Sequence, residues 1–302
     1  MADHWHILGA GSIGCLWAAH LAKAGHKVTM ILRNSHRLAE FSKAGSVHLE
    51  TNDTIEGYAV EACLADSCEG ISHLLVTTKA YDTASAIQPL KAKCRPDASV
   101  VILQNGMGAQ QQAAELMAPI NVWAASTTDG AWLRSPFHVV YAGYGETKVG
   151  ALSKGDLPHL PPGMTPAAPL KLVADPSIEL SLWRKLAINC AINPLTAFYD
   201  CRNGALAEDP EKHRHMAQLC DEIEQLCHHK HLKLFDGPIL QQAEIVAKAT
   251  GSNFSSMLQD VRHQRKTELD FITGYLLKQA QTVGIELPAN EQLYNDLKKK
   301  SE

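Results

Sequence analysis

Lys185, Asn189 and Asn193 stand four residues apart in the otherwise apolar stretch Trp183–Pro194. On a helix, positions i, i+4 and i+8 share one face. An ammonium and two carboxamides on one face can polarise a carbonyl, deliver a proton and orient a small polar molecule. Burying such groups without partners costs kilocalories. Something polar must therefore face the stripe, either a substrate or a network between packed helices, and the stripe alone leaves both readings open. Glu268 is the second candidate. In a helix drawn from Ser256 to Val283 it falls on the apolar face of Leu258, Val261, Ile272, Tyr275 and Leu276. An inward carboxylate needs a cation or hydroxyl partner. Lys185 could be that partner in a structural ion pair, or the two could serve carbonyl reduction together. Third, Ser256 and Gln259 fit a capping box, with Asn253 and Ser255 crowding the same helix start. Free N–H groups there suit an anion, but ordinary capping, which these residues would do anyway, outweighs that reading on the residues alone.

The other chemistry-bearing pattern lies at the N-terminus. The apolar run His6-Ile7-Leu8 leads into Gly9-Ala10-Gly11-Ser12-Ile13-Gly14. A helical pattern follows, Gly25 sits at its stop, and Lys27–Leu32 reads as the next strand. Strand, GxGxxG, helix and strand within about thirty residues is the context a dinucleotide fingerprint requires. Gly9 makes the tight turn, Gly11 lets a pyrophosphate approach the backbone, and Gly14 lets helix and strand pack closely. The helix start at Ser12 and Ile13 offers N–H groups to the phosphates. An NAD site places an acid at the end of the second strand. Here Arg33 follows Leu32 and no acid occurs before Glu40. Arg33, helped by Asn34 or Arg37, can bind a 2′-phosphate through charge-assisted bonds. The expected cofactor is NADPH. Lys79 and Asn105 follow the strands His73–Thr77 and Ser99–Leu103, and ligands of open parallel sheets bind beyond such strand ends. On position alone, a surface cation and a plain Asn-Gly turn explain them as well.

Composition excludes several classes. The net charge of −4 gives no footprint for nucleic acid or an anionic membrane. No stretch reaches membrane-spanning length, and the N-terminus lacks the basic and apolar regions of a signal peptide. Eight scattered cysteines without a CxxC pair suit free thiols in a reducing cytoplasm. Cys220, Cys227, His228, His229 and His231 do not match zinc spacings, so no metal is expected.

The elements that must position these groups follow from periodicity. Two strands around Thr51-Asn52-Asp53 form a hairpin, and further strands cover 73–77, 99–103, 122–126, 138–142 and 147–150. Pro158, Pro161, Pro162, Pro166 and Pro169 mark an exposed connection. Beyond about residue 178 the pattern is helical, with helices expected at 179–192, 210–229, 236–250, 256–283 and 291–299. The expected fold is α/β: a doubly wound Rossmann domain over residues 1–172, then an all-helical substrate-binding domain over residues 173–302.

Taken together, GAGSIG, TKAYD, QNGMG, LWRKLAINCAINPLTA and NFSSMLQDVRHQRKTELDFITGYLL resemble the 2-dehydropantoate 2-reductase (ketopantoate reductase) family, in family order over nearly the whole chain. The resemblance implies the 6-phosphogluconate-dehydrogenase-like two-domain architecture. It implies NADPH-dependent reduction of ketopantoate to pantoate, on the route to pantothenate and coenzyme A. It assigns Lys185 as the catalytic lysine and Glu268 as a glutamate that helps hold the substrate. Asn105 corresponds to the asparagine near nicotinamide and substrate. Asn189 and Asn193 correspond to substrate contacts, and Ser256, at the helix start that also holds Asn253, to a serine at the substrate carboxylate. Arg33 corresponds to the 2′-phosphate arginine and Lys79 to a lysine near the cofactor. The expected partner is a small 2-keto acid, with no nucleic acid or membrane, and the expected assembly a monomer or homodimer. The rival functions are a reductase of another branched keto acid and a non-catalytic NADPH sensor; the latter has no need of Lys185 with Glu268.

Overall fold

Short aliphatic and β-branched runs in the first half of the chain become strands. They are β1 (His4–Leu8), β2 (Lys27–Leu32), β3 (Val47–Glu50), β4 (Ile55–Tyr58), β5 (Glu61–Leu64), β6 (Ile71–Val76), β7 (Cys94–Leu103), β8 (Asn121–Thr127), β9 (Gly130–Ser135), β10 (His138–Gly143), β11 (Thr147–Ala151) and β12 (Leu172–Ala174). The structure is a computed structural model that describes residues 2–152 and 160–301. It divides into one unit of Met1–Gln104 with Ala109–Ile178 and another of Asn105–Gly108 with Glu179–Glu302.

The first unit holds an eight-stranded sheet in the order β12-β11-β8-β7-β6-β1-β2-β5. All neighbours pair in parallel except β8 with β11. The chain runs outward from β1 to β2 and β5, then returns to β6 on the other side of β1. Strand order therefore reverses between β1 and β6, and the crevice outside the carboxyl ends of these strands is where open α/β sheets bind ligands. Helix α1 (Ser12–Lys23) covers one face, with α2 (Ser35–Ala44) following β2; α3 (Thr83–Ile87) and α4 (Ala109–Met117) cover the other. A second sheet, β4-β3-β10-β9, packs onto α1. Enclosed between two sheets, α1 is buried on every side from Gly14 to Leu21, as a helix that is apolar all round must be.

Three strands escape the sequence reading: β5, β9 and β12. Each is the edge strand of its sheet and most of its residues are exposed or half-buried. With little surface to bury, they carry no strong apolar signal. The proline-rich connection also differs from expectation. Pro158 lies outside the described residues, but Met164 and Leu170 are core residues. Trp5 Nε1 donates to Gly163 O at 3.0 Å, and Ala167 N donates to His20 O at 3.0 Å.

The second unit consists of α5 (Ile178–Tyr199), α6 (Ala205–Glu208), α7 (Pro210–His229), α8 (Ile239–Ala249), α9 (Ser256–Arg262), α10 (Thr273–Thr282) and α11 (Pro288–Ser301), with no strand among its described residues. Asp209 caps α7 by accepting from Glu211 N and Lys212 N at 2.9 and 3.2 Å, with Pro210 at the first helical position. Helix α5 runs past Pro194, although that ring removes one helical N–H.

The single helix expected from 256 to 283 is two helices. Arg265 N donates to Asp260 O at 2.8 Å, and Gln264 N to Val261 O at 3.0 Å. This is a Schellman ending with Gln264 in the left-handed region at φ 53°. Glutamine rather than glycine occupies that position, so the sequence carries no visible stop. No helix of the described residues is long and apolar enough to cross a membrane.

Candidate active site

In the first unit, the turn after β1 is shaped by close approach. Gly9 has φ 111°, and a Cβ on Gly14 would lie 2.0 Å from Gly9 O. Side chains at either position would force the helix away from the turn. A Cβ on Gly11 would meet nothing within 4 Å, so the backbone faces open space there. Helix α1 begins at Ser12 with no side-chain cap, leaving its first-turn N–H groups directed at that space. Beneath the turn, Thr77 Oγ1 donates to Gly9 O at 3.1 Å and to Leu8 O at 3.3 Å. The sequence reading did not single out Thr77; its one signal was its place at the end of β6.

Arg33 follows β2 and is exposed. Its two expected helpers have other partners. Asn34 Oδ1 caps α2 by accepting from Arg37 N at 3.0 Å. The Arg37 guanidinium donates to Glu40 at 2.6 Å and to Ala10 O of the glycine turn at 3.3 Å, and it stacks 4.8 Å over the Phe137 ring. Glu40, the first acid after β2, is thus already paired with an arginine. Lys79, half-buried, lies beyond the carboxyl end of β6. Gln104 ties that end to β7: its Nε2 donates to Thr78 O at 2.9 Å and also to Thr83 Oγ1.

The second unit gathers the remaining candidates. Lys185, Asn189 and Asn193 are each half-buried on α5, amid the buried Trp183, Leu186, Ala187, Cys190, Ala191 and Ile192. One face of a largely buried helix is therefore polar and half-buried, at the spacing that the sequence indicates. Glu268 is 5% exposed, so its inward position agrees with expectation, but the reason given for it does not. It sits outside any α-helix, at the start of a 3-10 turn over Leu269–Phe271. Its carbonyl accepts from Phe271 N and Ile272 N at 3.0 and 3.1 Å.

The Asn105–Gly108 turn is built onto the same 3-10 turn. Met107 N donates to Phe271 O at 2.8 Å. Gly106 has φ 78°, and a Cβ there would lie 2.4 Å from Phe271 O. Only glycine permits this approach. Asn105 and Glu268 are thereby carried by two backbone segments bonded to each other.

The capping reading shifts by one residue. Ser255, 6% exposed, caps α9 by accepting from Leu258 N at 3.1 Å. Ser256 is the first helical residue and is exposed, as is Asn253. Gln259 Nε2 turns to Phe254 O at 3.1 Å instead of closing a capping box. The cap is latched to α5, because Thr196 Oγ1 donates to Ser255 Oγ at 2.7 Å and to Asn193 O at 2.9 Å. Thr196 is fully buried. Thr196 and Ser255 hold the start of α9 against the asparagine stripe, and neither was foreseen in that role.

Comparison with known proteins gives a consistent picture. The model described as "Ketopantoate reductase PanE/ApbA" matches residues 5–154, and its C-terminal counterpart matches residues 177–301. The chain is 33% identical over 293 residues to 2-dehydropantoate 2-reductase of Vibrio cholerae serotype O1, covering 97% of this chain and 96% of that one. It is 33% identical over 301 residues to the same-named protein of Escherichia coli O157:H7, covering 97% and 94% of the two chains. A solved PanE/ApbA family ketopantoate reductase from Ralstonia eutropha JMP134 superposes with a TM-score of 0.88 at 28% identity, covering 99% and 98% of the two chains.

Proposed function

The chain belongs to the ketopantoate reductase family, and we propose that it reduces the C2 ketone of 2-dehydropantoate to pantoate with NADPH, as one step in making pantothenate and coenzyme A. The observation that carries the chemistry is the half-buried Lys185–Asn189–Asn193 face on a largely buried helix.

The cofactor fits the first unit. Open space at Gly11 and the uncapped start of α1, with Ser12 and Ile13, suit a pyrophosphate. Exposed Arg33, with Glu40 already paired to Arg37, suits a 2′-phosphate better than a free ribose hydroxyl. Lys79 adds a cation at the neighbouring strand end. When bound, NADPH supplies the hydride.

Lys185, as ammonium, stabilises the negative charge that grows on the ketone oxygen and gives that oxygen its proton. Glu268 favours the charged lysine and accepts a hydrogen bond from the substrate hydroxyl. Asn105, Asn189 and Asn193 orient the keto acid. Ser256 and Asn253, at the start of α9, hold its carboxylate. We take the compartment to be the cytoplasm, where eight free thiols remain reduced, and the working form to be a monomer or homodimer.

The test is steady-state NADPH oxidation with ketopantoate beside close 2-keto and 3-keto acid analogues. Ketopantoate should give the highest kcat/KM. A higher value for an analogue would reassign the substrate. NADPH binding with no turnover on any keto acid would leave only a nucleotide-binding protein.

A further inference from the structure

Cys63 and Cys68 take no part in the residue sets above. Cys63 lies on the edge strand β5, opposite Ile31 of β2. Cys68 follows the short 3-10 turn Ala65–Ser67. Their sulfurs stand 3.1 Å apart. A disulfide bond is about 2.05 Å long, so an approach of about 1 Å would join them. The intervening turn is held in place. Cys68 N donates to Ala65 O at 3.2 Å, and the Cys68 thiol donates to Leu64 O at 3.5 Å. Lys93 Nζ donates to Asp66 O at 2.9 Å and to Cys68 O at 3.1 Å. Accessibility is divided between the two sulfurs: Cys63 is half-buried, whereas Cys68 is 2% exposed. One thiol can be reached by a small reagent and the other waits behind it, as in an attacking and resolving pair.

We propose that Cys63 and Cys68 form an oxidisable dithiol, a covalent modification site that takes a small-molecule disulfide or a peroxide as oxidant. With a disulfide, the Cys63 thiolate attacks one sulfur and displaces a thiolate; the Cys68 thiolate then attacks Cys63 Sγ and displaces the second. Two protein thiols are oxidised to one bridge, the reagent is reduced to two thiols, and the two protein protons pass to them. With hydrogen peroxide, Cys63 becomes a sulfenic acid with loss of one water, and Cys68 closes the bridge with loss of a second. Burial, reinforced by the contact with Cys68, pushes the Cys63 thiol up to about 12. Thiolate is therefore scarce at neutral pH, and oxidation of the pair is slow. The site is separate from the proposed reduction. It lies beside the end of β2 that precedes Arg33, since Leu64 pairs with Leu32.

The full-length protein would be treated with a small-molecule disulfide, oxidised glutathione, or, separately, with hydrogen peroxide. Samples would be acid-quenched, denatured, alkylated and mapped by mass spectrometry. In at least one arm, two of the eight thiols should escape alkylation. They should map to one Cys63–Cys68 bridged peptide, about 2 Da lighter than its dithiol form and restored by reductant. Cys63→Ser should abolish the bridge and retain keto-acid turnover. Eight alkylated thiols in both arms, or a bridge from Cys68 to Cys94 instead, would overturn the proposal. Mapping the unsubstituted protein decides the matter even if the serine variant folds poorly.

Discussion

Lys185 is the residue on which the proposed chemistry turns. A lysine among buried neighbours keeps its charge only with a polar or anionic environment, and its face of α5 supplies Asn189 and Asn193 rather than further apolar side chains. Lys185→Ala should lower kcat by about a hundred- to a thousandfold, the usual consequence of removing one charge-stabilising donor. NADPH binding, followed by fluorescence, should be retained. Turnover at the unsubstituted rate would remove Lys185 from the mechanism. Arg33 belongs to the cofactor. A charge-assisted bond to a phosphate contributes about 1.5–3 kcal/mol, so Arg33→Ala should weaken NADPH roughly ten- to a hundredfold. NADH should bind nearly as before; equal weakening of both nucleotides would contradict the 2′-phosphate assignment.

At the scale of elements, the site depends on how helix ends and turns are fastened. The Thr196–Ser255 latch joins α5 to the start of α9 through a buried 2.7 Å hydrogen bond. Thr196→Val would remove one of the two donors to the buried Ser255 hydroxyl and leave only Leu258 N, at a cost of about 0.5–1.5 kcal/mol. If the latch sets the spacing between Asn193 and Ser256, KM for ketopantoate should rise about tenfold while the NADPH dissociation constant holds, and Thr196→Ser should restore it. A loss of thermal stability with KM unchanged would make the latch purely structural. The Asn105–Gly108 turn gives a parallel case. Gly106→Ala places a Cβ against Phe271 O at a positive φ, a strain on the order of 1–3 kcal/mol. It should displace Asn105 and lower kcat as well as the unfolding temperature.

On the scale of the whole molecule, pH acts through histidines buried without charge. His6, 5% exposed, is held down to about 4, first by burial and then by its neighbours His4 and Lys27. Burial lowers His4, His20 and His73 as well. A depressed base is neutral in the folded state, so its contribution is complete above the unfolded value of about 6.5. As the pH falls below that value the unfolded chain takes up protons first, and stability declines until the folded value is reached. At about 1.4 kcal/mol for each pH unit of separation, His6 alone accounts for a loss on the order of 3 kcal/mol between neutrality and pH 4. Urea unfolding at pH 7.5 and pH 5 should show the lower midpoint at pH 5, and His6→Gln should flatten the difference. An unchanged slope in that variant would assign the acid sensitivity to other groups.

Much of this was legible in the residues themselves. GxGxxG between two strands needs only local geometry, because each glycine answers a steric demand made within a few residues. The Lys185–Asn193 stripe is likewise local, since helical periodicity alone puts those side chains on one face. The central strands declared themselves because both of their faces are buried. Tertiary structure decided the rest. It supplied the edge strands β5, β9 and β12, whose exposed residues need no apolar pattern. It ended α9 at Gln264 through a hydrogen-bonding motif that can form without glycine. It made Ser255 rather than Ser256 the cap, because Thr196, distant in sequence, reaches that hydroxyl. It brought the turn at Gly106 onto Phe271, an approach between backbones more than a hundred residues apart. Short-range sterics and periodicity are written in neighbouring residues, whereas contacts that span the chain exist only once it has closed on itself.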